Sequence, residues 1–372
     1  MNQETMPKVK KETKNKIRVE FDRTPLKERL MSKFLSLFFL KKVVWYIFRL
    51  VLLIGIAYVI LSPFLTMLMR SFMSLDDLAD PTVMLIPKHW NVRIYKEVWT
   101  QNGYLEAFVN TFILSGSTAL IQTFVCCLIG YGLAKFKFKG NKLIFFAVIF
   151  TMIVPHQALY SSMRINFSSF DVFGIFQFLN GGGIDLFGIT TINNSFFEMI
   201  DIFPDTDAFN KVFQKNGLNL IGSDIPIYLL SFTGLAFKNG LYIFMLRQFY
   251  QGVPDELEES AYMDGSGTFR TFIQIILPLS IPMMITVFIF AFCWQWTDDF
   301  YAQAFNPTNK SLLMDDVIQP PVTMSIEVAE NPDYKTVINN TAGLMVLAPL
   351  LILYCAGQKF LVQGIESSGL AN

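Results

Sequence analysis

The stretch Val253–Pro278, VPDELEESAYMDGSGTFRTFIQIILP, is polar and acidic, yet it lies between two long apolar runs, Ile227–Tyr250 and Leu279–Gln303. A helix of about 20 apolar residues spans the hydrocarbon of a bilayer. A charged island between two such runs must emerge into water. This arrangement points to an integral membrane protein built from helices, not to a soluble domain with a large core. Composition agrees. Hydrophobic residues make up 52% of the chain and charged residues only 16%, against roughly 25% in soluble domains.

The island carries its own helix punctuation. Pro254 precedes it, Asp255 can cap the helix N-terminus, and Glu258 three residues on completes a capping box. At roughly 100° per residue, Asp255, Glu256, Glu258 and Glu259 share an arc of about 160°, with Leu257 and Ala261 opposite. The spacing predicts a short helix with an acidic face and a small apolar face. Asp264-Gly265 reads as a turn, in which Gly265 supplies a positive φ. Thr268–Ile276 can form a second helix that Pro278 closes or kinks.

Hydropathy predicts six spans: Val43–Leu68, Phe108–Ala134, Leu143–Met163, Ile227–Phe249, Leu279–Gln303 and Ala342–Leu361. Residues 1–42 form a basic arm, expected to be disordered to about Asp22, with an interfacial helix over Met31–Leu40. Lysines crowd this arm and the loop Lys135–Lys142, whereas residues 69–106, 164–226 and 304–341 hold fewer basic than acidic residues. The positive-inside rule therefore places both termini, the tail 366–372 and the island in the cytoplasm, and the other segments outside. The expected location is the cell (cytoplasmic) membrane, crossed several times, with the lipid bilayer as surroundings.

Glu259-x-Ala261, Gly265 and then Ile275-x-Leu277-Pro278 resemble the signature loop of permease subunits of ATP-binding-cassette (ABC) importers, Glu-Ala-Ala-x3-Gly-x9-Ile-x-Leu-Pro, with Ser260 in place of the first Ala. Arg247-Gln248-Phe249-Tyr250 and Val253-Pro254-x-Glu256-Leu257 are similar to the carbohydrate-uptake branch, specifically the second permease of maltose-type systems. The likeness extends to Asn110-Thr111, Gly130–Gly140, Pro155, Trp296-x-Asp298-x-Phe300 and Phe360-x-x-x-Gly364, and covers most of residues 43–165 and 227–365. It implies an all-α type I importer permease, with a transmembrane domain over 43–365 and a coupling loop over 250–278. It further implies that Asp255, Glu256, Glu258, Glu259, Ala261, Gly265, Leu277 and Pro278 belong to a coupling helix docked on a cytoplasmic ATPase. The implied partners are a second permease in a heterodimer, two copies of the ABC ATPase and an extracytoplasmic sugar-binding protein. ATP and magnesium would be used by the ATPase, and no cofactor by this chain. The basic arm and the long outward insertion, 164–226, depart from the family pattern.

No Gly-x4-Gly-Lys-Ser/Thr occurs, so the sequence holds no P-loop of its own. Nor does a Gly-x-Ser-x-Gly elbow or a His-Glu-x-x-His appear. Four cysteines lie in apolar runs without zinc-ligand or disulfide spacing, and read as small core residues. Gly181–Gly183 reads as a flexible loop. Nothing points to a nucleic-acid partner. Lys238 stands near the middle of the fourth predicted span, where a charge costs at least ~2.5–3.5 kcal/mol. Either it lines a cavity or gate, with Asp298 or Asp299 as partner, or a helix break at Asn239-Gly240 lets it reach solvent. Asn110, Gln122, Tyr160, Trp294 and Trp296 join Lys238 and Asp298 as candidates for a sugar path, because hydroxyls need hydrogen bonds and sugar faces stack on rings. The plainer reading makes each a belt residue or a helix–helix bond. Two other functions fit a polytopic chain. A secondary transporter needs intramembrane carboxylates, for which only Asp298 and Asp299 qualify. A membrane enzyme needs a catalytic cluster, and none is visible.

Overall fold

The computed structural model describes residues 9–12, 18–21, 37–171, 213–214, 217–236, 238–306 and 312–369. The chain divides into two compact units, Met1–Met69 and Arg70–Asn372. In the first, β1 (Val9–Glu12) and β2 (Arg18–Phe21) pair antiparallel, Val9 opposite Phe21 and Lys11 opposite Val19. The expectation of disorder to Asp22 does not hold for these two short segments. Helix α1 (Leu37–Arg70) carries the first apolar run. The expected interfacial helix lies mostly outside the described residues.

The second unit contains α2 (Leu75–Ala79), α3 (Arg93–Gln101), α4 (Tyr104–Lys135), α5 (Asn141–Ile153) and α6 (His156–Ser168). After a two-residue pairing of β3 (Phe213–Gln214) with β4 (Gly217–Leu218) come α7 (Ile225–Thr233), α8 (Asn239–Gln251) and α9 (Glu256–Met263). The remaining α-helices are α10 (Thr268–Trp296), α11 (Phe300–Phe305), α12 (Ser325–Glu330) and α13 (Pro332–Gly369). Among the described residues the fold is helical apart from the two small hairpins and an isolated bridge between Met73 and Trp90. The insertion's residues 172–212, Gly181–Gly183 among them, lie outside the described residues.

Four described helices are long and apolar enough to cross a membrane, α1, α4, α10 and α13, and a fifth crossing results if α5 and α6 count as one. The count differs from six because two predicted spans are broken. Leu143–Met163 bends by 104° at Val154-Pro155. Pro155 lacks an N–H and disfavours helical geometry in the residue before it, and Val154 accordingly adopts ψ 122. Ile227–Phe249 breaks between Gly234, at φ 76, and Lys238, at φ 67. The fifth predicted span errs the other way. It begins at Thr268, because a π-helical turn over Phe272–Ile276 carries the helix through Pro278. There the Leu277 N–H bonds the Phe272 carbonyl, the long turn by which a helix absorbs a local irregularity.

Helix α4 lies at the centre of the unit and packs against α7, α8 and α10; α10 in turn packs on α13. Gly130 sets the closest approach. A Cβ there would lie 2.9 Å from the Leu246 Cβ and 3.1 Å from the Arg247 backbone nitrogen. Cys126 and Cys127 are buried at the same seam, but Cys293 is half-buried and Cys355 exposed, so only two of the four cysteines are core residues. We expect Gly130→Ala to lower the melting temperature in detergent by the equivalent of about 1–3 kcal/mol of overpacking. Gly116→Ala, where no atom lies within 4 Å, serves as the matched control and should leave melting unchanged.

Candidate functional site

Helix α9 is held at both ends by identifiable contacts. At its C-terminus Gly265 adopts φ 81. The Ser266 N–H donates to the Ala261 carbonyl at 2.9 Å and the Gly265 N–H to that of Tyr262 at 3.0 Å. This pair of bonds is a Schellman cap, which requires a left-handed residue at the glycine position. The N-terminus differs from the expected capping box. Asp255 makes no side-chain cap. Its carboxylate instead accepts from the Lys135 ammonium at 2.5 Å.

Lys135 is the centre of the arrangement. It closes α4, where a cation meets the negative end of the helix dipole. Its ammonium donates to the Val253 carbonyl at 2.8 Å and lies 3.6 Å from Glu258 Oε1. Glu258 Oε2 accepts from the Tyr131 hydroxyl at 3.3 Å. Glu258 is therefore buried beside Ala261, whereas Leu257 is 40% exposed. The predicted faces are thus partly exchanged: the ion pair with Lys135 and the hydrogen bond from Tyr131 draw Glu258 inward. Asp255, Glu256 and Glu259 face solvent. Lys135 holds the Asp255 carboxyl below the usual carboxylate range by hydrogen bond and charge. Leu277 and Pro278 do not join this surface; they sit more than two turns into α10, just after its π-helical turn. Sequence reasoning missed Lys135 and Tyr131. The signal was the basic end of α4, whose charge is complementary to the acidic island.

The opposite end of α4 holds a second set of bonds. Asn110 donates to the Leu312 carbonyl at 3.1 Å, and Thr111 Oγ1 accepts the Met314 N–H at 2.9 Å. Asn102 donates to the carbonyls of Val317 and Gln319. One helix, with Asn102 just before its start, thus grips α9 at one end and residues 312–319 at the other.

The remaining path candidates separate. Gln122 is buried and donates to Ser231 Oγ at 3.1 Å, and the Trp296 indole is buried and donates to the Val346 carbonyl at 3.0 Å. Both hold helices together, whereas Asn110 fastens α4 to the non-helical segment at Leu312. Tyr160 donates to the Gln303 carbonyl and accepts from Arg164. Lys238 has its ammonium 4.5 Å from the centroid of the Trp294 ring. The chain break falls before Asn239, not after it, and Lys238 both occupies it and lines a cavity of about 440 Å³ between α5–α6 and α7–α8. Asp298, two residues beyond α10, accepts the Tyr301 N–H at 3.2 Å and a bond from Gln295 at 3.4 Å. Burial pushes its carboxyl up to about 7.

Comparison with known proteins decides the class. The pattern of the family described as "Binding-protein-dependent transport system inner membrane component" matches residues 127–302, which include α9 and Lys135. The chain is an ABC importer permease. The permease is 26% identical over 328 residues to the probable ABC transporter permease protein YurM of Bacillus subtilis, covering 88% of this chain and 87% of the relative. It is 23% identical to the diacetylchitobiose uptake system permease protein NgcG of Streptomyces coelicolor, covering 83% of each. Its fold matches a chain of a solved bacterial ABC transporter involved in import of the acidic polysaccharide alginate. The TM-score is 0.57 at 18% identity, over 86% of this chain and 97% of that one. The permease is a non-catalytic membrane component, which sets aside the secondary-transporter and membrane-enzyme readings.

Two outcomes are expected. Lys135→Met should release α9, raising amide hydrogen exchange over residues 254–263 while α4 stays protected. The Asp298 carboxyl, raised above its unfolded value of about 3.9, keeps a proton in the folded state that the unfolded chain has lost. Its contribution to stability is therefore full below that value and falls as pH rises towards 7. Between pH 5 and 8 the melting temperature of Asp298→Asn should decline less steeply than that of the parent.

Proposed function

We propose that this permease forms half of the path by which a sugar or oligosaccharide enters the cell, driven by a partner ATPase docked on α9. The observation that carries the reading is the mounting of α9. A Schellman cap and the Lys135 network fix its orientation while Asp255, Glu256 and Glu259 project into water. Such a rigid acidic face suits a basic groove on another protein. The saccharide assignment is supported by relatives such as the diacetylchitobiose permease above and the melibiose/raffinose/stachyose import permease protein MelC of Bacillus subtilis.

In this reading the transmembrane domain spans 43–365, and residues 250–278 are the coupling loop. The polypeptide crosses the cell membrane six times, with α7 and α8 together making one broken crossing, and both termini are cytoplasmic. The basic loop after α4 and the acidic α9 then share the cytoplasmic side. Residues 312–319, gripped by the other end of α4, face outward towards a sugar-binding protein. A second, non-identical permease and two ATPase copies complete the importer. ATP and magnesium belong to the ATPase.

Glu259→Ala and Gly265→Asp test the assignment. Glu259 is exposed, so its loss should leave folding intact. Truncating one member of a charge pair buried on docking typically costs ~2–5 kcal/mol. Any side chain at Gly265 is strained by the positive φ, although no atom within 4 Å obstructs it. Both variants should insert normally, copurify poorly with the ATPase and lose uptake. Full transport by both would overturn the role given to α9.

A further inference from the structure

The loop that joins α4 to α5, Phe136-Lys137-Phe138-Lys139-Gly140, continues the basic end of α4, but its charges have a different fate from that of Lys135. Lys135 is committed to Asp255 and Glu258. Lys137, Lys139 and Lys142 are exposed and form no ion pair among the described residues. Asp255 feels the Lys137 charge, yet its bond is to Lys135. No acid interrupts residues 136–142. Phe136 and Phe138 alternate with the lysines and are exposed as well.

The backbone of this loop is fixed. The Asn141 amide donates to the carbonyls of Leu133 at 3.2 Å and Phe136 at 2.9 Å, which meets acceptors left over at the end of α4. The Asn141 N–H donates to the Phe138 carbonyl at 3.3 Å, and Gly140 turns the chain at φ 100. A partner would therefore order only the lysine side chains, not the loop, which keeps the entropic cost of binding low. The depth of the loop follows from its length. Five residues that leave one helix and return to the next reach no more than about 9 Å beyond the helix ends. The headgroup layer of a bilayer is about 5–8 Å thick on each side. Leu143 and Ile144, directly after Lys142, are exposed and continue into the apolar surface of α5. The charges of the loop thus lie where hydrocarbon-facing surface gives way to water.

We propose that residues 136–142 bind the headgroup of an anionic phospholipid, with Lys137, Lys139 and Lys142 around its phosphate and Phe136 and Phe138 against the upper acyl chains. The reading is independent of the transported solute and of which side of the membrane the loop faces. A zwitterionic lipid brings an ammonium of its own and leaves the three lysines repelling one another, whereas a phosphodiester of net negative charge compensates them. Lysines interleaved with aromatic rings suit this boundary, because the rings gain from the acyl region while the ammonium groups stay at the level of the phosphates. An acidic protein surface would match the charges but would gain nothing from their place at headgroup depth.

The test uses the full-length permease, purified with the subunits that accompany it and placed in nanodiscs. Each disc carries a diazirine-bearing phosphatidylglycerol or the matching phosphatidylcholine at equal mole fraction. Photolabelling of the peptide over residues 136–146 is read by mass spectrometry and normalised to that of Leu351 and Ile352, exposed apolar residues of α13. A lysine near an anionic surface strengthens association about fivefold. With three of them, the loop should favour phosphatidylglycerol at least tenfold. Lys137→Gln, Lys139→Gln and Lys142→Gln together should bring the ratio near one, each alone should lower it about fivefold, and the three arginine replacements should retain it. The lysines are exposed, so every variant should melt like the parent in detergent; if the triple variant does not, the three single variants decide. Equal labelling by the two lipids in the parent, or a preference unchanged by the glutamine replacements, would overturn the lipid site. Labelling that is absent from the intact complex and appears only when the ATPase is removed would give the loop to the ATPase and overturn it too.

Discussion

A peptide group in hydrocarbon has no water to bond, and each one left unmet costs several kcal/mol. That constraint governs the second unit of this permease. It makes α4, α10 and α13 long and continuous, and it makes every interruption a place where other groups must take over. At Pro278 the backbone adapts through a π-helical turn and the helix survives. At Pro155 and at Gly234–Lys238 it does not, and the freed ends meet side chains and a cavity. The continuous helices bear load and the broken ones make room.

Helix α4 shows what a continuous element offers. Its 32 residues extend about 48 Å at the usual rise of 1.5 Å per residue. Close packing at Gly130 fastens its flank to α8, and polar bonds fasten both ends. A rigid rod with a charged clasp at one end and hydrogen-bonded clamps at the other can carry displacement between two sides of a membrane. A flexible loop cannot. The physical requirement is that both attachments be stiffer than the surroundings, and the Lys135 clasp meets it by burying the lysine head-group against a carbonyl and two carboxylates.

The acidic island illustrates how a single tertiary contact rearranges a local pattern. Helical geometry alone puts Asp255, Glu256, Glu258 and Glu259 on one arc. Lys135 divides them, taking Asp255 and Glu258 as ligands of its ammonium and leaving Glu256 and Glu259 to the solvent. Asp255 makes no capping bond and instead meets the Lys135 ammonium, a hydrogen bond in which both partners are charged.

Hydropathy and spacing determined by themselves that this chain is a membrane bundle, where its apolar runs lie, that α9 exists and that Gly265 turns it. These follow from solvent preference and from backbone rules that act within a few residues. The tertiary structure decided the rest. Whether a proline breaks a run or is absorbed depends on what lies beside it, so Pro155 and Pro278 look alike in sequence and differ in outcome. Gln122 and Trp296 read as polar candidates for a path, yet Ser231 and the Val346 carbonyl claim them for the core. Lys135 belonged to a basic loop in the sequence and became the clasp of α9 only because α4 and the island meet in space. Contacts between residues more than a hundred positions apart leave no local periodicity to read, and those contacts set the geometry of the site.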